Sequence, residues 1–436
     1  MDRRKFLFNS GLALGAGTVL AGCQTSAEKA PPVDEPVSFE TWADIRKQFL
    51  FEPGKVHMSQ MLLAAHPRAV RDAIAMHRDE FDKNPVEYWE SKFTTRDGEI
   101  RKAAAEYIGS DPSEIALTDS TTMGLAVLYS GLKLKPGDEI LTTTHDHYAT
   151  EKCLDYAVAR SGAVIKRVSL YTDPAKASVD EMVSSLKKGI TAKTRVIAIT
   201  YVHSSTGVKT AVRAIADMIK EVNATRGSGR IYFCVDGVHG FGIENVSIPD
   251  LGCDFFAAGT HKWIFGPRGT GILYGRKDAW DMVAPIIPSF DFEAYGSWLD
   301  LYPAEKLTFG QLCSPGGFHS FEHRYGLIEA FGFQLKIGKA RVEERTHGLS
   351  SKLKEGLANI KHIKLITPTS AELSAGINCF EVEGMKPEDV VKKLYAKNIV
   401  ANTSPYKVIY VRLTPSIINS EEEVDTCLRE LENLKA

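Results

Sequence analysis

Cys234-Val235-Asp236-Gly237-Val238-His239-Gly240-Phe241-Gly242, followed by Gly259-Thr260-His261-Lys262-Trp263-Ile264-Phe265-Gly266-Pro267-Arg268-Gly269-Thr270-Gly271, decides the reading of this 436-residue chain. In each half an apolar run ends in a polar cluster. Outward from this stretch, from about Thr118, strand-like runs alternate with helical ones. The expected strands are Glu139–Thr143, Val164–Ser169, Arg195–Thr200, Ile231–Asp236, Phe255–Ala258 and Gly271–Gly275. The expected helices between them include Thr121–Leu132, Ala149–Ser161, Val179–Gly189 and Val212–Thr225. Alternation at this spacing means parallel βαβ units. Ligands of such sheets sit outside the carboxyl ends of the strands, so the polar residues that follow each strand are the candidates for chemistry.

Asp236 and Lys262 are such residues. Asp236 comes 26 residues before Lys262, which leaves room for a connection and a further strand, so both side chains can emerge at one sheet edge. An aldehyde cofactor with a pyridine ring needs this pair. The amine forms the internal Schiff base, and the carboxylate pairs with the protonated ring nitrogen and keeps the ring an electron sink. A buried structural ion pair is the plainer alternative.

D-x-x-H followed by T-H-K-W-x-x-G-P-x-G-T-G resembles the class V aminotransferases, a family of pyridoxal-phosphate (PLP) enzymes. The match is closest to the branch of isopenicillin N epimerase-like proteins and related carbon–sulfur lyases. It runs from about Phe49 to Leu434. The resemblance implies the fold type I of PLP-dependent transferases: an α/β domain with a mostly parallel central sheet flanked by helices, plus a smaller α+β C-terminal domain. It implies Lys262 as the aldimine lysine and proton shuttle, with Asp236 and His239 on the cofactor ring. It places the phosphate cradle at Asp119-Ser120-Thr121-Thr122-Met123-Gly124, hence Thr121 and Thr122. Taken alone, a Ser-Thr-Thr ahead of an apolar helix is more often merely a cap. His261 resembles the phosphate-contacting histidine of the family. Gly259 stands where relatives often have Ser, which brings in Thr260 as a substitute.

His145-Asp146-His147-Tyr148 follows an expected strand. Without cysteines or a matching distal cluster it does not read as a metal site. The family reading is an aromatic ring stacked on the cofactor, His147 first and Tyr148 second. Tyr201-Val202-His203-Ser204 resembles the segment near the phenolic oxygen, so His203 and Ser204 join the cofactor set. Any of these histidines is alternatively an interior residue. Gly316-Gly317-Phe318-His319-Ser320 lacks the Gly-Thr through which relatives reach the neighbouring subunit's phosphate. His319 or Ser320 would have to replace it, and a homodimer is what the resemblance implies. Val411-Arg412-Leu413-Thr414-Pro415 resembles the C-terminal signature whose Arg binds the substrate carboxylate, a bidentate task suited to a guanidinium. An Arg412 that merely neutralises an acidic patch is the alternative. Cysteine desulfurases carry a nucleophilic Cys on a late loop, and 399–405 here has none.

The expected activity is therefore that of a PLP enzyme acting on an amino acid, as epimerase, carbon–sulfur lyase or aminotransferase. An exported lipoprotein that binds an amino acid or PLP adduct without turnover is the alternative. Net charge −2 gives no reason to expect nucleic acid. Residues 1–23 read as an export signal, with Arg3-Arg4-Lys5-Phe6-Leu7 resembling a twin-arginine motif and Leu20-Ala21-Gly22-Cys23 a lipobox. They imply a periplasmic protein, anchored in the membrane if Cys23 is lipidated. The remaining expected divisions are a tether 24–37, an N-terminal segment 38–65 that packs on the small domain or across the site, a large PLP-binding domain 66–309, and a small domain 310–436. The seven cysteines are scattered, several in apolar contexts that suit buried thiols.

Overall fold

The computed structural model describes residues 38–227 and 229–434. The expected export signal, Cys23 and the tether lie outside the described residues. In chain order the strands are β1 (Val56–His57), β2 (Ile115–Thr118), β3 (Glu139–Thr143), β4 (Val164–Val168), β5 (Thr194–Thr200), β6 (Tyr232–Asp236), β7 (Phe255–Gly259), β8 (Gly271–Gly275), β9 (Ile363–Leu365), β10 (Asn378–Val382), β11 (Ile399–Val400), β12 (Asn402–Thr403) and β13 (Val411–Leu413).

Seven strands form the central sheet in the order β2-β8-β7-β6-β5-β3-β4. β4, β3, β5, β6 and β7 run parallel. β8 is antiparallel to both its neighbours, β7 and β2. The central sheet is thus mostly parallel, as the resemblance implied, with β8 as its reversed strand. No helix separates β7 from β8, so the chain turns back within the Lys262 loop and returns alongside. β2 adds a strand to those expected, since its four residues are too few to show a period. The sheet is covered on both faces except at its edge strand β4, which is partly exposed, and β7 and β8 are buried along their whole length. Successive residues face opposite ways. Ile197, Val235, Phe256 and Ile272 pack on one face, in a core shared with helices Arg96–Ile108, Val212–Thr225 and Leu327–Ile337. Val196, Cys234, Phe255 and Leu273 pack on the other, against helices Thr121–Gly131 and Tyr148–Ser161.

The C-terminal part carries the antiparallel sheet β12-β13-β10-β9. Residues 321–359 form three helices, Phe321–Tyr325, Leu327–Ile337 and Lys339–Asn359. Gly338, with φ 93, separates the last two. The N-terminal segment ties both parts together. β1 pairs in parallel with β11, and the Ala64 amide donates to the His261 carbonyl at 3.0 Å. Phe49 packs edge-on against Phe265 at 5.2 Å and Phe333 at 5.8 Å. Phe265 lies in the turn that follows Lys262 and adopts φ 58, the left-handed region disfavoured for a bulky residue. Burial of its ring offsets that strain. Cys153, Cys234, Cys253, Cys313, Cys379 and Cys427 are buried free thiols.

Removal of the Phe49 ring therefore weakens both the fold and the lysine turn. Phe49→Ala is expected to cost about 3–5 kcal/mol of stability, as for a buried aromatic, read as a lower urea midpoint. An unchanged midpoint would show that the segment's packing is dispensable.

Candidate active site

A cavity of about 140 Å³ opens at the carboxyl ends of β3, β5, β6 and β7. Parallel strands point their last residues to one edge, and the chain order reverses between β3 and β5, which leaves a crevice there. Asp146 fastens this edge. Its carboxylate accepts from Thr142 Oγ1 (3.0 Å), the Thr143 amide (2.9 Å) and hydroxyl (2.6 Å), and Thr200 Oγ1 (2.7 Å). It is thus committed to joining β3 to β5 and is not available as a metal ligand.

Asp236 ends β6 and is buried. Its oxygens accept from the Val238 amide and Thr150 Oγ1, each at 3.3 Å. Gly237 is required next, because a Cβ there would sit 1.8 Å from the Phe256 ring. Lys262 follows β7, and its Nζ lies 3.2 Å from His239 Nε2. Burial pushes the Asp236 carboxyl up, opposed by the Val238 amide and Lys262. Burial pulls the Lys262 amine down; the attraction of Asp236 opposes this and Arg412 adds to it. Both charges resist desolvation.

The phosphate end of a ligand fits at helix Thr121–Gly131. Ser120 caps it, accepting from the Met123 amide at 3.1 Å. First-turn amides have no partner within their helix and favour an anion. Thr121 Oγ1 accepts from the Gly259 amide at 2.7 Å, which leaves its hydroxyl hydrogen for a ligand. Ser120, Thr121, Thr122 and His261 all line the cavity. A Cβ on Gly259 would come within 2.9 Å of the His261 ring, so Gly at this position makes room for that histidine.

His147 caps helix Tyr148–Ser161, its Nδ1 accepting from the Ala149 amide at 3.2 Å, and presents its ring to the cavity. Tyr148 is 68% exposed and faces away. Arg412, within β13, also lines the cavity. Its Nε donates to Asn402 Oδ1 (2.8 Å), Nη1 to the Ser204 carbonyl (2.9 Å) and Nη2 to the Thr403 carbonyl (2.8 Å). Three acceptors fix the plane of the fork and leave its other N–H donors for a ligand.

The cavity wall thus gathers Lys262, Asp236, His239, Thr121, Thr122, His147, Ser204, His261 and Arg412. Thr260 and His203 stand off it. Thr260 Oγ1 donates to the Thr270 carbonyl at 3.1 Å and closes the return loop. His203 is fully buried with Nδ1 3.0 Å from Tyr171 Oη. His319 lies on a separate cavity of about 220 Å³, with Trp89, Arg101 and Asp291. It contacts Asp119 at 3.3 Å and the Pro315 carbonyl at 3.2 Å. Ser320 precedes helix Phe321–Tyr325 without capping it through its side chain. Two neighbours of the site were not among the expected site residues, although Trp263 belongs to the lysine motif itself. Tyr406 donates to or accepts from Ser204 Oγ at 2.8 Å, and its ring meets His147 edge-on at 5.9 Å. Trp263 Nε1 donates to His239 Nδ1 at 3.2 Å.

An amine, a carboxylate, an anion-binding helix end and an aromatic face lining one cavity form a donor set that fits pyridoxal phosphate. Residues 64–404 match the Aminotransferase class-V family model, and the chain belongs to that family. It is a class V aminotransferase-like enzyme of PLP-dependent fold type I, with pyridoxal phosphate as its cofactor. It is 25% identical over 400 residues to an isopenicillin N epimerase of Streptomyces clavuligerus, covering 88% of this chain and 96% of that one. It is also 25% identical to a "Probable cysteine desulfurase" of Pyrococcus abyssi, covering 90% and 97%. Among solved structures, the cystine C–S lyase C-DES superposes with a TM-score of 0.76 at 22% identity, over 88% of this chain and 99% of that one. A cysteine desulfurase of Thermococcus onnurineus NA1 superposes with a TM-score of 0.75 at 24% identity, over 89% and 97%.

Reconstitution with pyridoxal phosphate followed by borohydride is expected to fix the pyridoxyl group on Lys262. The yield should rise with pH through a midpoint below the ordinary lysine range, because a depressed amine is neutral at lower pH. Peptide mapping against pH measures both; a label on another lysine would displace Lys262 from this role.

Proposed function

We propose that the enzyme acts on an amino acid with a free α-carboxylate, with Lys262 as cofactor lysine and proton carrier at Cα. One observation carries this reading: Arg412, its fork fixed by Asn402, Ser204 and Thr403, shares a cavity wall with Lys262. Bound PLP supplies an electron sink that weakens every bond at Cα. Arg412 pins the carboxylate, and so selects which bond stands across the cofactor plane. Asp236 holds the ring end, and Lys262 moves the proton.

Epimerisation, carbon–sulfur elimination and amino transfer are the outcomes compatible with these roles. Desulfuration through a cysteine nucleophile fits less well: the six described cysteines are buried, and none lines the cavity. The similarity to an isopenicillin N epimerase and to a cystine C–S lyase supports the first two outcomes. Product mass from a panel of amino acids discriminates among them.

Arg412→Lys is expected to lower kcat/KM by roughly thirtyfold or more, the equivalent of ~2–5 kcal/mol for a broken buried charge contact, with the cofactor spectrum unchanged. Amino-acid amides should be poor substrates of the wild type and less discriminated against by the variant. Equal turnover of the acid by both proteins would make Arg412 structural. We also propose that the twin-arginine stretch exports the enzyme already folded around its cofactor, and that it acts as a homodimer. Changing Arg3 and Arg4 together to Lys should strand holoenzyme in the cytoplasm; normal arrival in the periplasm would mean another route.

A further inference from the structure

Beside Lys262 stands a second residue of the same loop that nothing in the proposed chemistry uses. Trp263 is 2% exposed. Its carbonyl accepts from Gln334 Nε2 at 2.7 Å. A Cβ on Gly376 would fall 2.6 Å from the far edge of its indole, and one on Gly242 2.7 Å from its backbone carbonyl carbon. The ring is clamped, with its N–H directed at His239 Nδ1 at 3.2 Å. An indole N–H only donates. Nδ1 must therefore accept, which excludes both the imidazolium and the tautomer protonated at Nδ1. The proton of a neutral His239 is left on Nε2, the atom 3.2 Å from Lys262 Nζ. Two donors cannot form a hydrogen bond with each other, so this contact is complete only when Lys262 offers a lone pair.

We propose that Trp263 is a positioning residue that fixes the proton of His239 on Nε2, and through it holds Lys262 as the neutral amine that can attack an aldehyde. Lys262 then meets pyridoxal phosphate without first losing a proton to solvent. The other ionisable groups around it are Asp236 on β6, Arg412 on β13, His147 at the cap of helix Tyr148–Ser161 and His261 on the lysine's own loop. Only Asp236 favours the charged amine; Arg412 disfavours it. Burial, Lys262 and Arg412 all drive His239 far below its ordinary range, consistent with a ring that stays neutral. Without the indole N–H, His239 is free to move its proton to Nδ1 and to accept from a charged Lys262. The amine should then become harder to deprotonate.

The inference concerns the full chain freed of cofactor, so it stands apart from the reading of which amino acid is turned over. The test is the pH midpoint of Lys262 acylation by limiting acetic anhydride, read by mass spectrometry. It compares wild type, Trp263→Phe, and protein with benzothienylalanine at position 263, which keeps the bicyclic shape and lacks only the N–H. Both replacements are expected to raise the midpoint by about one pH unit, a tenfold loss of neutral amine at a given pH. An unchanged or lowered midpoint in the benzothienylalanine protein overturns the proposal, whatever Trp263→Phe does, because the effect would then belong to packing. Failure of pyridoxal phosphate to label Lys262 in the wild type would instead count against the cofactor assignment, and leaves the acylation midpoint measurable.

Discussion

The structure depends on keeping an amine and a carboxylate together in a place from which water is largely removed. Asp236 and Lys262 sit at the ends of neighbouring strands, and burial works against the charge on each. Such burial is costly unless the groups are paired or hydrogen-bonded. Here the Val238 amide and the Thr150 hydroxyl serve Asp236, and His239 serves Lys262. Under the proposed function, pyridoxal phosphate would meet the remaining demand with its pyridinium and aldehyde. A ligand bound only by the folded state also stabilises that state by mass action.

The surrounding elements hold this pair still. Asp146 spans the crevice between β3 and β5 through threonines on both strands. The turn after Lys262 places Phe265 in a strained conformation, and Phe49 from the N-terminal segment covers it. Arg412 reaches the same cavity from the antiparallel sheet, its guanidinium braced by the Ser204 carbonyl of the large sheet's loops. Under the proposed function, the carboxylate grip is thus braced against a loop of the large sheet, and a shift of the C-terminal sheet would displace the carboxylate from the reacting bond.

Much of this was legible in the sequence. The strands from Glu139 to Gly275 fall within a residue or so of their expected bounds; the buried ones read as largely apolar runs, and β4, with Lys166 and Arg167, is the partly exposed edge. The polar residues just beyond them are where the cavity lies. Thr260 and His203 show the limit of that rule. Each follows a strand, yet Thr260 turns to Thr270 and His203 to Tyr171. Side-chain direction after a strand depends on how the loop closes, which local pattern does not encode. Tyr406 escaped for a related reason: it sits in a loop whose path is set by β12 and β13.

The sequence by itself determined the alternation of strands and helices and the placing of Asp236 and Lys262 at one sheet edge, because periodicity and spacing are local and survive in one dimension; the class of cofactor chemistry followed from the family resemblance of the motif around them. Only the tertiary structure decided that β8 turns back antiparallel, that Arg412 shares a wall with Lys262, and which atom of His239 carries a proton. Those outcomes rest on contacts between residues far apart in the chain, where a hydrogen bond from one clamped indole fixes what neither neighbour specifies alone.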